Sequence, residues 1–324
     1  MSKTTLIKAT GINRFFSATH AVKDLAFELN TGDILGFLGP NGAGKSTTMQ
    51  IISGTLAPDS GQIEINGIDL IEQPTLAKQQ LGYLPELPPL YKELTVNEYL
   101  LYAAKLRAIK KDKLQAAINN ARQRCGLSEV GNKLISSLSK GYQQRVGIAQ
   151  AIIHNPAVII LDEPTVGLDP IQIQEIRQLI TELGQHHGII ISTHILPEVH
   201  AVCNRVQIIR QGRLVYHSDM DGISNAMQSN FVELSFKSAP DPSLLQNIAG
   251  ISQLDKITPH DFCIELSQDQ AESAQAINTL LSRSLEHNWQ LNKMLPRVRS
   301  LEQIFIDLTV SDSTAPSVPE DAAE

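Results

Sequence analysis

Nine consecutive residues, Gly39-Pro40-Asn41-Gly42-Ala43-Gly44-Lys45-Ser46-Thr47, carry the pattern G-x-x-x-x-G-K-[ST]. Gly42 and Gly44 can take backbone angles closed to residues with a Cβ, so successive N–H groups can turn inward and form an anion nest. A helix that starts at Ser46 adds its free N–H groups and the positive end of its dipole. Lys45 contributes a full charge, placed for the outer phosphates of a nucleotide, and the Ser46 hydroxyl is a hard oxygen ligand suited to Mg2+. A glycine-rich turn that merely joins a strand to a helix is the plainer reading. The flanking residues favour phosphate, because the loop lies between the apolar run Ile34-Leu35-Gly36-Phe37-Leu38 and a helical start at Ser46.

Hydrolysis at such a loop needs an acid at the end of a buried strand nearby. Val158-Ile159-Ile160-Leu161-Asp162-Glu163 supplies one. Asp162 would hold the Mg2+ shell, and Glu163 could orient and deprotonate an attacking water. The competing reading is that both acids cap the following turn.

These residues need rigid elements to hold them. Ala157–Leu161 and Gly188–Ser192 read as continuous apolar strands of a buried parallel sheet. Thr5–Leu29 holds two short strand-like runs, separated by Arg14-Phe15-Phe16-Ser17-Ala18-Thr19-His20; its two aromatics could stack a base, though the pattern alone favours the core. Gln62–Gly67 alternates as an edge-type strand, and Leu81–Glu86 is a short strand stopped by Pro85. From Thr95 the character becomes helical. Thr95-Val96-Asn97-Glu98 is a capping box, and two further helices cover Asp112–Cys125 and Ser139 to about His154. This block reads as a helical insertion whose exposed apolar faces suit a partner. Ile171–Leu183 and Leu196–Cys203 are helical, and a hairpin turns at Gln211-Gly212. His186-His187 reads as a solvated turn.

Near Ser224 the composition shifts to a small α+β module with alternating runs at Phe231–Phe236 and Phe262–Leu266. Its amphipathic helix is marked by Ala274, Ile277, Leu281 and Leu285, and a last helix is expected from Ser300. The tail from Ser311, with two prolines, four acids and no aromatics, is expected to be disordered.

The totals exclude several classes. A formal net charge of -7 argues against broad nucleic-acid binding. No apolar stretch approaches the length needed to cross a bilayer, and no apolar signal core follows Met1. Cys125, Cys203 and Cys263 are far apart and form no C-x-x-C pair, which fits reduced thiols in a cytoplasm rather than a disulfide framework or a zinc site.

Over about residues 4 to 220 the sequence resembles the ATP-binding cassette (ABC) family. Besides the loop and the acids it has Leu138-Ser139-Lys140-Gly141-Tyr142-Gln143-Gln144-Arg145, similar to the signature that begins Leu-Ser-Gly-Gly-Gln. Gly167-Leu168-Asp169-Pro170 looks like the D-loop and Ser192-Thr193-His194 like the switch-histidine motif, all in the family's order. The resemblance implies a P-loop NTPase fold: a RecA-like α/β core, an antiparallel β subdomain and a helical subdomain at about 93–155, within a cassette of residues 1–223. A C-terminal α+β domain at 224–310 and a tail at 311–324 would follow. It also implies that Phe16 stacks the base, that Glu163 and His194 act on the attacking water and γ-phosphate, and that Asp169 belongs to the D-loop. Ser139, Lys140, Gly141 and Tyr142 would complete the ATP site of a second, identical chain, with two ATP molecules held between the copies. Two positions depart from the common pattern. Glu86 stands where Gln is usual, and would be both an ATP neighbour and a Mg2+ ligand; Lys140 and Tyr142 replace Gly and Gln. Both variants occur in the branch that pairs with ABC-2-type permeases. On that basis the chain is expected to be the ATPase subunit of an exporter. It would be cytoplasmic and peripheral on the inner face of the plasma membrane through a separate permease, with no nucleic-acid partner. A soluble ABC-type ATPase acting on nucleic acid or ribosomes is the rival, which the lack of tandem cassettes and basic arms disfavours.

Overall fold

In a computed structural model, the described residues are 4–220, 222, 228–238, 240–267 and 269–298. Two compact units divide after Met220. The first opens with the hairpin β1 (Thr5–Phe16) and β2 (Thr19–Asn30), followed by β3 (Ile34–Leu38) and α1 (Lys45–Ile52). Next come β4 (Ser60–Ile65), β5 (Ile68–Asp69), α2 (Pro74–Gln79) and β6 (Leu81–Leu84). The helical block is α3 (Val96–Leu106), α4 (Leu114–Arg124) and α5 (Lys140–Ile152). The unit closes with β7 (Val158–Asp162), α6 (Pro170–Gly184), β8 (Gly188–Thr193), α7 (Leu196–Val202), β9 (Arg205–Arg210) and β10 (Arg213–Asp219).

Two sheets enclose one core. The six-stranded sheet has the order β10-β9-β3-β8-β7-β6; only β10 runs antiparallel to its neighbour. Its central strands β3, β7 and β8 are buried along their whole length, which is why they read as unbroken apolar runs instead of alternating ones. The antiparallel sheet has the order β2-β1-β4-β5 and packs side chains such as Ile7, Leu25 and Ile63 against Phe37, Met49 and Ile160.

β1 and β2 are twelve residues each, longer than the short runs expected from sequence. Register shifts near Ala9/Ile12 and Arg14/Phe15 interrupt their pairing, and each shift breaks the period-two pattern that marks a strand in sequence. β4 is not an edge, since β1 and β5 pair on either side of it.

The helical block matches its sequence signals closely. Thr95 accepts from the Glu98 N–H while the Glu98 carboxylate accepts from the Thr95 N–H, closing the capping box on α3. Gly126, at φ +65°, follows the end of α4.

The second unit contains β11 (Gln228–Phe236), α8 (Pro242–Gln246), β12 (Ile251–Lys256), β13 (Asp261–Leu266), α9 (Gln270–Glu286) and β14 (Leu291–Val298). The βαββαβ order and the all-antiparallel sheet β12-β13-β11-β14 are those of a ferredoxin-like fold. Its core joins Val232, Leu234, Phe262 and Ile264 to Ala276, Leu280 and Trp289. α9 is therefore rotated from expectation: Ala276 and Leu280 are buried, while Leu281 and Leu285 are exposed. The helix expected from Ser300 and the tail from Ser311 lie outside the described residues. Cys125, Cys203 and Cys263 are buried, and none of them is in a disulfide.

Candidate functional site

Register in the parallel sheet brings the chemical residues together. Leu38 at the end of β3 pairs with Thr193 at the end of β8, and Asp162 at the end of β7 pairs with Ser192. The loop after β3, the acids at the end of β7, the histidine after β8 and the turn after β6 all leave the sheet at one carboxyl edge, where open α/β sheets bind ligands. A cavity of about 520 Å3 opens there, lined by Asn41, Gly42, Gly44, Lys45, Ser46 and Thr47 with Glu86, Glu163 and His194.

Gly44 is the N-cap of α1 at φ 104°, a conformation that aims the first N–H groups of the helix into the cavity. It also packs so closely that a Cβ there would sit 2.6 Å from the Ala21 carbonyl oxygen. Lys45 is 6% exposed and donates to Gly39 O at 2.8 Å and Pro40 O at 3.3 Å. Ala43 is buried and donates to Pro40 O, holding the loop's turn. Burial pulls the Lys45 ammonium below its usual pKa, while the charges of Glu163, Asp162 and Glu86 oppose that shift. Ser46 Oγ lies 3.4 Å from Asp162 Oδ1, and Asp162 is 2% exposed. Burial raises the Asp162 carboxyl above the ordinary range, against the lowering effect of the neighbouring hydroxyls.

Glu163 is the meeting point. It is a non-glycine residue in the left-handed region, φ 49°, and its N–H donates to Ser192 O. Backbone strain of this kind persists where the surroundings fix a functional side chain. Its carboxylate lies 3.7 Å from Lys45 Nζ and 3.0 Å from His194 Nδ1. His194 is exposed at the cavity wall and is not enclosed in the core.

Other expected site residues stand elsewhere. Phe15 and Phe16 are both exposed, which corrects the core reading; Phe15 stacks on His20 at 3.9 Å and Phe16 lies under the Arg14 guanidinium at 5.0 Å. The hairpin turn puts them past the edge of the apolar interior. None of Ser139, Lys140, Gly141 and Tyr142 lines the cavity. Ser139 caps α5, accepting from the Tyr142 N–H; Gly141 packs under Gln172; the Lys140 ammonium fills the space a Gly167 side chain would need. Tyr142 is exposed, 5.9 Å from the Arg145 guanidinium. Asp169 caps α6 through the Gln172 N–H.

His187 also differs from its sequence reading. It is buried, with Nδ1 2.7 Å from Pro156 O and Nε2 3.2 Å from Arg124 Nη2, so it joins α4 to the base of β8 instead of facing water. Sequence reasoning missed Ala21 and Val166 in the cavity wall and Glu198 behind it. Ala21 and Val166 give no local signal; an acid inside the apolar turn Leu196–Val199 is the only trace of Glu198.

A phosphate loop beside an acid-bearing strand, at the carboxyl edge of a parallel sheet, defines a P-loop nucleotide hydrolase. A family model described as ABC transporter matches residues 22–166. The chain is 32% identical over 286 residues to the uncharacterised ABC transporter ATP-binding protein YxlF of Bacillus subtilis, covering 88% of this chain and 93% of that one. It is 40% identical over 219 residues to the bacitracin transport ATP-binding protein BcrA of Bacillus licheniformis, covering 67% and 71%. CbiO1 of Clostridium perfringens, part of the ABC transporter complex CbiONQ, superposes with a TM-score of 0.62 at 30% identity, covering 68% of this chain and 90% of that structure. The chain belongs to the ABC transporter ATP-binding proteins. It is the ATP-binding and ATP-hydrolysing subunit of an ABC transporter. Among the described residues no helix is long and apolar enough to cross a membrane.

Proposed function

We propose that Glu163 draws the proton from the attacking water while His194 holds that water and the γ-phosphate in line. The observation that carries this is the 3.0 Å contact between Glu163 and His194 at the wall of the cavity that holds Lys45. Lys45 and the free N–H groups of the loop between Gly39 and Thr47 would grip the phosphates, and Phe16, exposed outside the cavity lining, would stack the base. Ser46 and Asp162 would hold Mg2+, with Glu86 at the cavity mouth as a further oxygen. Two side-chain oxygens suit an ion that takes its remaining ligands from phosphate and water, and its charge would offset that developing on the phosphate.

The signature residues Ser139 to Tyr142 lie outside their own cavity, so a second copy must bring them. Two chains in a head-to-tail, two-fold dimer would each complete the other's site, with Asp169 at the seam. Loss of the γ-phosphate contacts would then release the halves. The separate membrane partner is an ABC-2-type permease, the direction is export, and the chain works at the cytoplasmic face. The branch resemblance of the Glu86 and signature variants supports those three points. The cassette is assigned to residues 1–223 and an accessory α+β domain to 224–310, whose described elements from Gln228 to Val298 are ferredoxin-like.

Glu163→Gln tests the reading. Turnover is expected to fall about a hundredfold or more while ATP still binds, so that a dimer accumulates with ATP in size-exclusion chromatography. Hydrolysis at the unmodified rate would remove Glu163 from the role of base.

A further inference from the structure

One buried carboxylate ties together the two segments that carry Glu163 and His194. Glu198 stands in the first turn of α7 and is 3% exposed. One of its oxygens accepts from the Thr165 hydroxyl, and the other accepts from the Thr193 hydroxyl at 2.7 Å. Thr165 lies two residues after Glu163, and Thr193 lies immediately before His194; both are buried. Among the described residues no cation comes within ion-pair distance of Glu198, so two neutral hydroxyls satisfy a charge that burial makes costly.

The bonds have a fixed direction. A carboxylate only accepts, so both threonines must donate to it. The Thr193 oxygen is then free to accept from the Ile195 N–H at 3.1 Å, which orders the backbone on the far side of His194. A ring results: Glu163, Pro164, Thr165, Glu198, Thr193, His194 and back to Glu163 through the 3.0 Å contact. The two catalytic side chains come from different strands, and this ring adds a second tie between their segments beyond the sheet pairing of Asp162 with Ser192.

We propose that Glu198 is a positioning residue for ATP hydrolysis, holding Glu163 and His194 in mutual register through Thr165 and Thr193. It does not line the cavity and would act only through its two threonine partners. The proposal rests on the assignment of Glu163 and His194 as the hydrolytic pair. Misplacement by about 1 Å can cost a hundredfold in rate, so the tie should be visible in turnover.

The test uses the full chain with Thr165→Val, which keeps shape and branching and removes the single bond to Glu198, Thr193→Val, which removes the bond to Glu198 and the bond from the Ile195 N–H, and Glu198→Leu, which removes both carboxylate bonds. ATP turnover is measured across ATP concentration for each, with Glu163→Gln run in parallel. The expected result is a fall in kcat of about ten- to a hundredfold with KM for ATP held within about threefold. Adding Thr165→Val to Glu198→Leu should cost little beyond Glu198→Leu alone, because the Thr165 bond is already gone. A merely structural carboxylate would lower the melting temperature and leave kcat per folded chain within about twofold of the unmodified protein in both valine variants; that result overturns the proposal. A loss confined to KM overturns it too. If Glu163→Gln itself keeps its turnover, the hydrolytic pair has been misassigned and the failure lies there, not with Glu198.

Discussion

Lys45 Nζ lies 3.7 Å from Glu163 Oε1, and both side chains are more than nine-tenths buried. The same ammonium donates to the carbonyls of Gly39 and Pro40, so one charge organises both the phosphate loop and Glu163, the proposed base. The γ-phosphate of ATP would compete with Glu163 for that ammonium. On the proposed assignment, nucleotide binding and the freeing of Glu163 for water would be the same exchange of partners.

Removing the charge should therefore have two separable effects. Lys45→Met is expected to reduce ATP turnover about a hundredfold or more, read in a coupled assay, and to weaken ATP binding in calorimetry. It should also destabilise the fold by about 3 kcal/mol in urea unfolding, since it leaves Glu163 buried without its cation. Lys45→Met combined with Glu163→Gln should regain most of that stability and none of the activity. If the double variant is no more stable than Lys45→Met, the pair is not an ion pair of consequence.

The loop's glycines are not equivalent. Gly42, at φ 78°, has no atom within 4 Å of where a Cβ would stand, whereas a Cβ on Gly44 would meet the Ala21 carbonyl at 2.6 Å. Gly42→Ala should cost only the backbone term, about 1–2 kcal/mol, and bind nucleotide. Gly44→Ala must push the loop away from β2, with a larger loss of stability and of nucleotide binding in a fluorescent-nucleotide titration. Equal losses from the two would mean that the loop is softer than this packing implies.

The family and its ATPase function were legible in the sequence because they are written in short contiguous motifs: the loop, the acids at the end of β7, the signature and the histidine after β8. Local signals such as the Thr95 capping box and the hairpin at Gln211-Gly212 transferred directly for the same reason. What failed depends on packing. α9 carries two adjacent apolar stripes, and a period of 3.6 cannot choose between Ala276–Leu280 and Leu281–Leu285; the sheet beneath it chooses. His187 follows an exposed neighbour in a turn, yet Arg124 and Pro156, distant in sequence, enclose it. Glu198 has no motif at all, and its importance exists only because two threonines from different segments converge on it.

The helical block offers a second testable surface. Leu106 is 68% exposed at the end of α3, beside Tyr102 and Tyr91, whose rings meet edge-on at 5.5 Å. With Pro89 and Tyr99 they line a groove of about 310 Å3. Apolar surface of this kind, rimmed by Arg107 and Gln150, suits a short cytoplasmic helix of the permease. Leu106→Glu is expected to cut co-purification of the membrane partner, read by affinity pull-down of the assembled transporter. The ATPase rate of the chain alone should stay within about twofold, as for an ordinary surface change. Undiminished co-purification would place the docking surface elsewhere.

His154 sets a pH limit on stability. It follows α5, with Nε2 donating to Leu81 O at 3.0 Å and Nδ1 buried without a partner among the described residues. Burial pulls its pKa from 6.5 down to about 4, and the nearby Arg107 charge acts in the same direction. The folded chain thus keeps a neutral imidazole where the unfolded chain would bind a proton. Stability from this source is whole above pH 6.5 and drains away as pH falls toward 4, by up to about 3 kcal/mol over the window. His187 is shifted in the same direction, again chiefly by burial, so it adds to the slope. His154→Gln can still donate to Leu81 O but does not titrate. Urea midpoints at pH 7.5, 5.5 and 4.5 should therefore fall less steeply in His154→Gln than in the unmodified protein, with the difference confined to the two acidic points. Parallel curves would show that His154 takes up its proton equally well in the folded and unfolded chains.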